Sequence, residues 1–280
     1  MPDQSLPSSP RVRRATADRH FDGLADKFER GFYSTERGQV RLELTRRLLE
    51  ERFANLPAGE VLEIGAGLGQ TALWWLTHGH QLTLVEPSVE MRERAQQRLA
   101  ESAEQGILAE SDLTRLAWSS EDLQGFAART EHQWPVVVCH AVLEWLIAPQ
   151  QGFALLAGLL APGGVMSLSV FNRDALAFSN VTKGNFDKTL EDRLAGWGTG
   201  KRLTPISPLR DTEIRQWASD AGLEVRELTG LRVFHDYLRS REPLSSTDME
   251  KLLELESRHW RTPPFVYLGR YLHYEIVRPA

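Results

Sequence analysis

A chain of 280 residues, 41% hydrophobic and 25% charged, has the length for one substantial core and the composition of a soluble globular protein. Its single cysteine, Cys139, excludes an intramolecular disulfide, and no apolar run approaches the ~18 residues of a membrane-spanning helix. The net charge of -5 speaks against a polyanion binder as a whole, yet residues 193–280 carry 14 Lys and Arg against 12 Asp and Glu, a mildly basic last third.

Residues 1–19 are polar, with three prolines and the basic run RVRR at 11–14, and are expected to form a disordered arm. They contain no apolar signal-like stretch, which predicts a cytoplasmic protein with no membrane partner. From Phe21 to Phe53 the apolar spacing is helical. The pattern then alternates. VLEI (61–64) predicts a short buried strand, and TALWWLTH (71–78) a helix closed by Gly79. QLTLVE (81–86) predicts a second strand, and Pro87-Ser88 opens the helix VEMRERAQQRLA. A weaker unit covers 107–130. PVVVCH (135–140) predicts another buried strand, AVLEWL a helical turn, and a Pro-Gly-Gly turn at 162–164 leads into the strand VMSLSVF (165–171).

Residues 172–210 are polar and glycine-rich, too long for an ordinary connection, and predict a substrate-binding insertion or lid. Beyond them come a helix at 211–221, the strand LEVRELTGLRVF, a helical insertion at about 239–262 and a last strand FVYLGRYLHYEIV (265–277). Buried strands alternating with helices predict an α/β fold, a mostly parallel sheet with helices on both faces, in a single domain from 20 to 280.

The stretch VLEIGAGLGQ places Glu63, Gly65, Gly67 and Gly69 between a strand and a helix, where backbone N–H groups can face a ligand. Glu86 ends the next strand, and a carboxylate there can accept from both hydroxyls of an adenosine ribose. The spacing G-x-G-x-G departs from the dinucleotide fingerprint G-x-G-x-x-G, which disfavours a nicotinamide dehydrogenase. With Glu63 ahead of it and the Pro-Gly-Gly turn behind, the loop resembles those of class I S-adenosylmethionine-dependent methyltransferases. That resemblance implies a seven-stranded Rossmann-like sheet and S-adenosylmethionine as cofactor. His140 ends the fourth predicted strand, a site-facing position open to acid/base work, cofactor packing or a purely structural role. No His/Cys cluster has metal spacing, and Trp74 and Trp75 read as core.

Six further stretches resemble one family: FDGLADKFERGFYSTERGQVR (21–41), HAVLEWL (140–146), KGNFD (183–187), KRLTPISPLRD (201–211), GLRVFHDYLR (230–239) and LGRYLHYE (268–275). They are similar to the bacterial tRNA 5-carboxymethoxyuridine methyltransferases, over about residues 20 to 278. The resemblance implies methyl esterification of the 5-carboxymethoxyuridine carboxylate at the tRNA wobble position, with the anticodon loop as partner and no obligate protein partner. It assigns cofactor contacts to Arg41, Gly65, Ala66, Glu86, Ser120, Glu121 and His140, beside Glu63, Gly67 and Gly69 from the loop itself. The family often has Asp where this chain has Glu63 and Glu86, and Gly where it has Ala66.

An ionised substrate carboxylate needs no general base but does need a cation or donor to place it. Arg202, Arg232, His235 and Tyr237 are the candidates. Lys201, Arg202, Arg210, Arg232, Arg270 and Tyr271 are expected to face tRNA, the arginines and lysine through phosphate and Tyr271 through base stacking. A methyltransferase acting on a small metabolite and a non-catalytic cofactor-binding subunit are the competing readings.

Overall fold

The structure is a computed structural model that describes residues 15–30, 34–197, 203–240 and 242–280. Its strands are β1 (Glu60–Ile64), β2 (Gln81–Val85), β3 (Leu116–Ser119), β4 (Trp134–His140), β5 (Leu160–Phe171), β6 (Glu224–Leu231) and β7 (Tyr271–Val277). They form one seven-stranded sheet in the order β3-β2-β1-β4-β5-β7-β6, parallel except for β7, which pairs antiparallel with β5 and β6. The chain order reverses between β1 and β4, so a crevice opens outside their carboxyl ends. Register places Ile64 level with both Val85 and Cys139. The next residues, Gly65, Glu86 and His140, therefore end three neighbouring strands together.

The helices are α1 (Ala25–Phe28), α2 (Glu36–Phe53), α3 (Gln70–Thr77), α4 (Val89–Glu104), α5 (Glu110–Leu113), α6 (Leu123–Arg129), α7 (Pro149–Leu159), α8 (Arg173–Val181), α9 (Phe186–Leu190), α10 (Asp211–Asp220) and α11 (Ser246–His259). On one face of the sheet, Leu44 and Leu48 of α2, Trp75 of α3, Leu99 of α4 and Leu253 of α11 pack on Val61, Leu82 and Val138. On the other, Phe126, Phe153, Leu156 and Ile214 pack on Leu62, Val137 and Leu168. Covering both faces explains why the inner strands read as apolar runs. Trp74 and Trp75 belong to the core as expected. Ser88 caps α4 by accepting from the Met91 N–H.

The structure departs from the sequence reading at five places. The helical spacing over 21–53 resolves into short α1 and long α2. Residues 172–210 hold α8 and α9, so much of that polar stretch is helical. The predicted strand 223–234 stops at Leu231 because Arg232 takes a left-handed backbone, φ 62°. The last strand starts at Tyr271, since Phe265–Leu268 form a 3₁₀ turn. Of the expected arm, residues 1–14 lie outside the described residues, while Asp18 and Arg19 contact the body: the Asp18 carboxylate accepts from Ile147 N–H (2.7 Å) and Gln124 Nε2 (3.0 Å), and Arg19 N–H donates to Trp145 O (2.9 Å). Among the described residues no helix is long and apolar enough to cross a membrane.

The segment after β6 is held by Glu256 of α11. Its fully buried carboxylate accepts from the backbone N–H groups of Val233 (2.5 Å), Phe234 (3.0 Å) and His235 (2.8 Å). Glu256→Ala strands three donors and should lower unfolding free energy by about 3 kcal/mol, read from urea denaturation.

Candidate cofactor and substrate site

The first βα turn closes on Glu86. Gly67 N–H donates to Glu86 Oε2 (2.9 Å) and Ser88 N–H to Oε1 (3.0 Å), while Gly65 and Ala66 N–H both reach Val85 O. Burial pushes the Glu86 pKa up, and the two N–H donors oppose it. A carboxylate has about four lone-pair positions, so two remain for hydroxyl donors. The adjoining cavity is lined by Arg41, Gly65, Gly67, Glu86, Glu121 and His140 of the expected residues. Ile64, Val85, Met91 and Leu123 supply an apolar wall. Arg41 is the buried cation there. This donor set fits S-adenosylmethionine: Glu86 would hold the ribose hydroxyls, Arg41 the amino-acid carboxylate, and the apolar wall the adenine.

Several expected residues sit otherwise. Gly65 lines the cavity but is glycine for a protein contact as well: a Cβ there would lie 2.3 Å from Val142 Cγ2. Ala66 is buried behind the cavity, and Gly69 caps α3 against Ala95 of α4. Ser120 is exposed and off the cavity wall, whereas Glu121 lines it, held by Ser119 Oγ (3.1 Å) and Arg129 (2.6 Å). No sequence pattern marks Asp18, Arg19 and His20, which also line the cavity. They lie in a stretch without hydrophobic periodicity, and their placement depends on contacts with distant Gln124, Trp145 and Ile147.

Behind the cavity lies a buried titratable layer. Glu63 is pushed up to about 7 by burial, although the Thr71 hydroxyl donates to it. Glu144 rises to about 7 for the same reason, with Arg41 opposing, and among the described residues its Oε2 has no hydrogen-bond partner. His140 is pushed down to about 3 by burial and by Arg41. Its Nε2 bonds Ser167 Oγ (2.9 Å), which bonds His273 Nε2 (2.8 Å), and burial also lowers His273. Both imidazoles are therefore neutral at physiological pH. Cys139 is buried and its pKa raised, a packing residue.

The GLRVFHDYLR and LGRYLHYE stretches meet through two glycines. A Cβ on Gly269 would lie 2.6 Å from Gly230 Cα, and one on Gly230 would lie 2.3 Å from Val266 O. Only glycine permits this approach. It brings Arg232 and Arg270 to one carboxylate: Asp236 receives Arg232 Nε (2.8 Å) and Nη2 (2.5 Å), with Arg270 Nε at 3.3 Å. Both guanidiniums are buried and turned inward, not toward a solvent-facing phosphate strand. Tyr271 is buried too, with Arg41 Cζ 4.1 Å from its ring centroid, so the expected stacking face is already covered. His235 Nε2 faces Glu36 (3.1 Å), and Tyr237 donates to Leu268 O (2.9 Å). Arg210 is half-exposed beside Asp174 (3.2 Å). Lys201 and Arg202 lie outside the described residues.

Arg41→Ala should weaken S-adenosylmethionine binding about ten- to hundredfold by calorimetry, the scale of one charged hydrogen bond. An acid whose folded pKa exceeds its unfolded value stabilises the fold below the unfolded value and loses that contribution as pH rises to the folded one. For Glu63 that window runs from 4.5 to about 7. Glu63→Gln should therefore gain stability on the wild type across it, by up to about 3 kcal/mol in urea denaturation.

Comparison with known proteins agrees with this geometry. A family model described as a methyltransferase domain matches residues 36–228. The chain is 36% identical to the tRNA 5-carboxymethoxyuridine methyltransferase of Escherichia coli K12 over 266 residues, covering 94% of this chain and 97% of that one. A ubiquinone biosynthesis O-methyltransferase of Xanthomonas axonopodis is 28% identical over 208 residues, 74% of this chain and 77% of its own. Among solved structures, the magnesium protoporphyrin IX methyltransferase of Synechocystis, with bound SAH, superposes with a TM-score of 0.57 at 16% identity, covering 92% of this chain and 96% of its own. The chain is thus a Rossmann-like methyltransferase, and it belongs to the family of the tRNA 5-carboxymethoxyuridine methyltransferases.

Proposed function

We propose that the protein methylates the carboxylate of 5-carboxymethoxyuridine at the tRNA wobble position, position 34, giving the methyl ester 5-methoxycarbonylmethoxyuridine. The observation that carries this reading is the 36% identity sustained over 94% of the chain with a relative of that name. The lower likeness to the ubiquinone O-methyltransferases covers about three quarters of the chain.

S-adenosylmethionine supplies an electrophilic methyl group when bound. The substrate carboxylate, with a pKa near ~4, is ionised at neutral pH and has no proton to lose. The site agrees: His140, at the end of β4, is held at about 3 and bonded to Ser167, so it neither accepts a proton readily nor carries charge. The protein's part is placement and exclusion of water, which in oriented systems supplies roughly 7–11 kcal/mol. Arg41 and Glu86 fix the cofactor end. For the substrate carboxylate, the Arg232–Asp236–Arg270 cluster holds two guanidiniums near Tyr237 and His235, with Asp236 between them and the Glu256 carboxylate beside Arg232. These residues, with Arg202, form the set from which its placement is drawn.

Purified enzyme and S-adenosylmethionine, incubated with tRNA from cells lacking this gene, should add ~14 Da to 5-carboxymethoxyuridine, the mass of one CH₂ unit, and mild alkali should remove it. No gain on any tRNA nucleoside would overturn the assignment. His140→Gln should leave the shape of the pH–rate profile unchanged between about pH 6 and 8, because the imidazole is neutral throughout.

A further inference from the structure

We propose that a second groove, beside the cofactor cavity, binds the phosphate backbone of the anticodon loop through Arg37, Lys183 and Arg239. This rests on the tRNA reading above. The groove holds about 1020 Å³ of water-accessible space. Three separate parts of the chain form it: the first turn of α2, the carboxyl end of α8, and residues 235–240, 242 and 244 after β6.

Each part contributes one exposed cation. Arg37 comes from α2, Lys183 lies just past α8 with its Nζ on Ser179 Oγ (2.9 Å), and Arg239 lies just past the 3₁₀ turn His235–Tyr237. Residues so far apart in sequence converge on one surface. The acids of the groove are mostly engaged. Glu36 accepts from Leu244 N–H (2.8 Å) and faces His235, and Asp236 is taken by buried Arg232 and Arg270. Glu242 is the remaining carboxylate among the described lining residues. Among the described lining residues Arg37, Lys183 and Arg239 stand against Glu36, Asp236 and Glu242, with Asp236 already paired to Arg232, and the amino end of an 18-residue helix adds positive field.

Two features fit a single-stranded RNA loop. Arg37 and Arg41 lie one turn apart on the same face of α2, about 6 Å along its axis. Because Arg41 lines the cofactor cavity, a strand held at Arg37 has a neighbouring nucleotide within reach of that cavity. Phe178, 44% exposed, packs edge-on against Tyr237 of the groove wall (5.2 Å) and offers a face to an unstacked base.

The test is filter binding of full-length enzyme to tRNA from cells lacking this gene, over a salt series, for Arg37→Gln/Arg239→Gln, Lys183→Gln and Glu242→Lys. The first two should weaken binding about tenfold or more and flatten the log–log salt slope by about 0.7–0.9 for each phosphate no longer neutralised. Glu242→Lys should tighten binding, a gain that misfolding does not produce. Cofactor affinity and melting temperature should stay at wild-type values. Wild-type Kd and slope in all three variants would overturn the groove, as would losses that track cofactor affinity or melting, or a wild type that binds no tRNA. If the wild type binds tRNA and the variants respond as expected, but no nucleoside gains mass, the groove stands and the methyl-ester assignment falls.

Discussion

The site depends on one carboxylate, Glu86, and the two backbone N–H groups it accepts. By taking the Gly67 N–H it ties the glycine turn after β1 to the end of β2. By taking the Ser88 N–H it sets the chain's exit into α4. Two βα units are thereby fixed against each other at the point where the sheet reverses direction. Burying an acid raises its pKa unless donors compensate, and the donors here come from the loop that must be positioned. Loop geometry and charge state are therefore the same problem with one solution. The level endings of β1, β2 and β4 bring Gly65, Glu86 and His140 to one cavity, which Arg41 of α2 and Glu121 after β3 also line.

Around Arg232 and Arg270, backbone contact plays the organising part. The approach of Gly269 to Gly230 leaves no room for side chains, and an arginine stands within two residues beyond each glycine. Asp236 pairs with both, and buried Glu256 is a second carboxylate beside Arg232. A left-handed backbone at Arg232 costs about 1–2 kcal/mol, which the bidentate pair with Asp236 and the three N–H bonds to Glu256 sustain. Buried guanidiniums beside the carboxyl ends of the strands suit chemistry whose nucleophile is an anion.

Most of the fold was legible in the sequence, because buried parallel strands have to be apolar throughout and glycines have to punctuate their ends. VLEI, QLTLVE and PVVVCH became β1, β2 and β4 with little change, and the acid after the second strand landed in the cavity. The features that stayed hidden depend on distant contacts. Asp18 looks like any residue of a polar tail until Ile147 and Gln124 are brought to it. Arg232, Arg270 and Tyr271 read as nucleic-acid contacts because cations and aromatics are used that way, but spacing alone does not reveal that Asp236 and Arg41 cover them. The role of Gly65 was half legible: close approach was implied, while its partner, Val142, lies on another strand's exit.

The bridge between His140 and His273 has a consequence of its own. Ser167 owns a single hydroxyl proton, so it donates to one imidazole and accepts from the other. The two rings are locked into opposite tautomers, and the whole row has only two settings. In one, the remaining nitrogen of His140 is a donor; in the other, it is an acceptor. The setting of His140 beside the cofactor cavity is thus coupled to that of His273, on the far side of β5, without any net charge changing place.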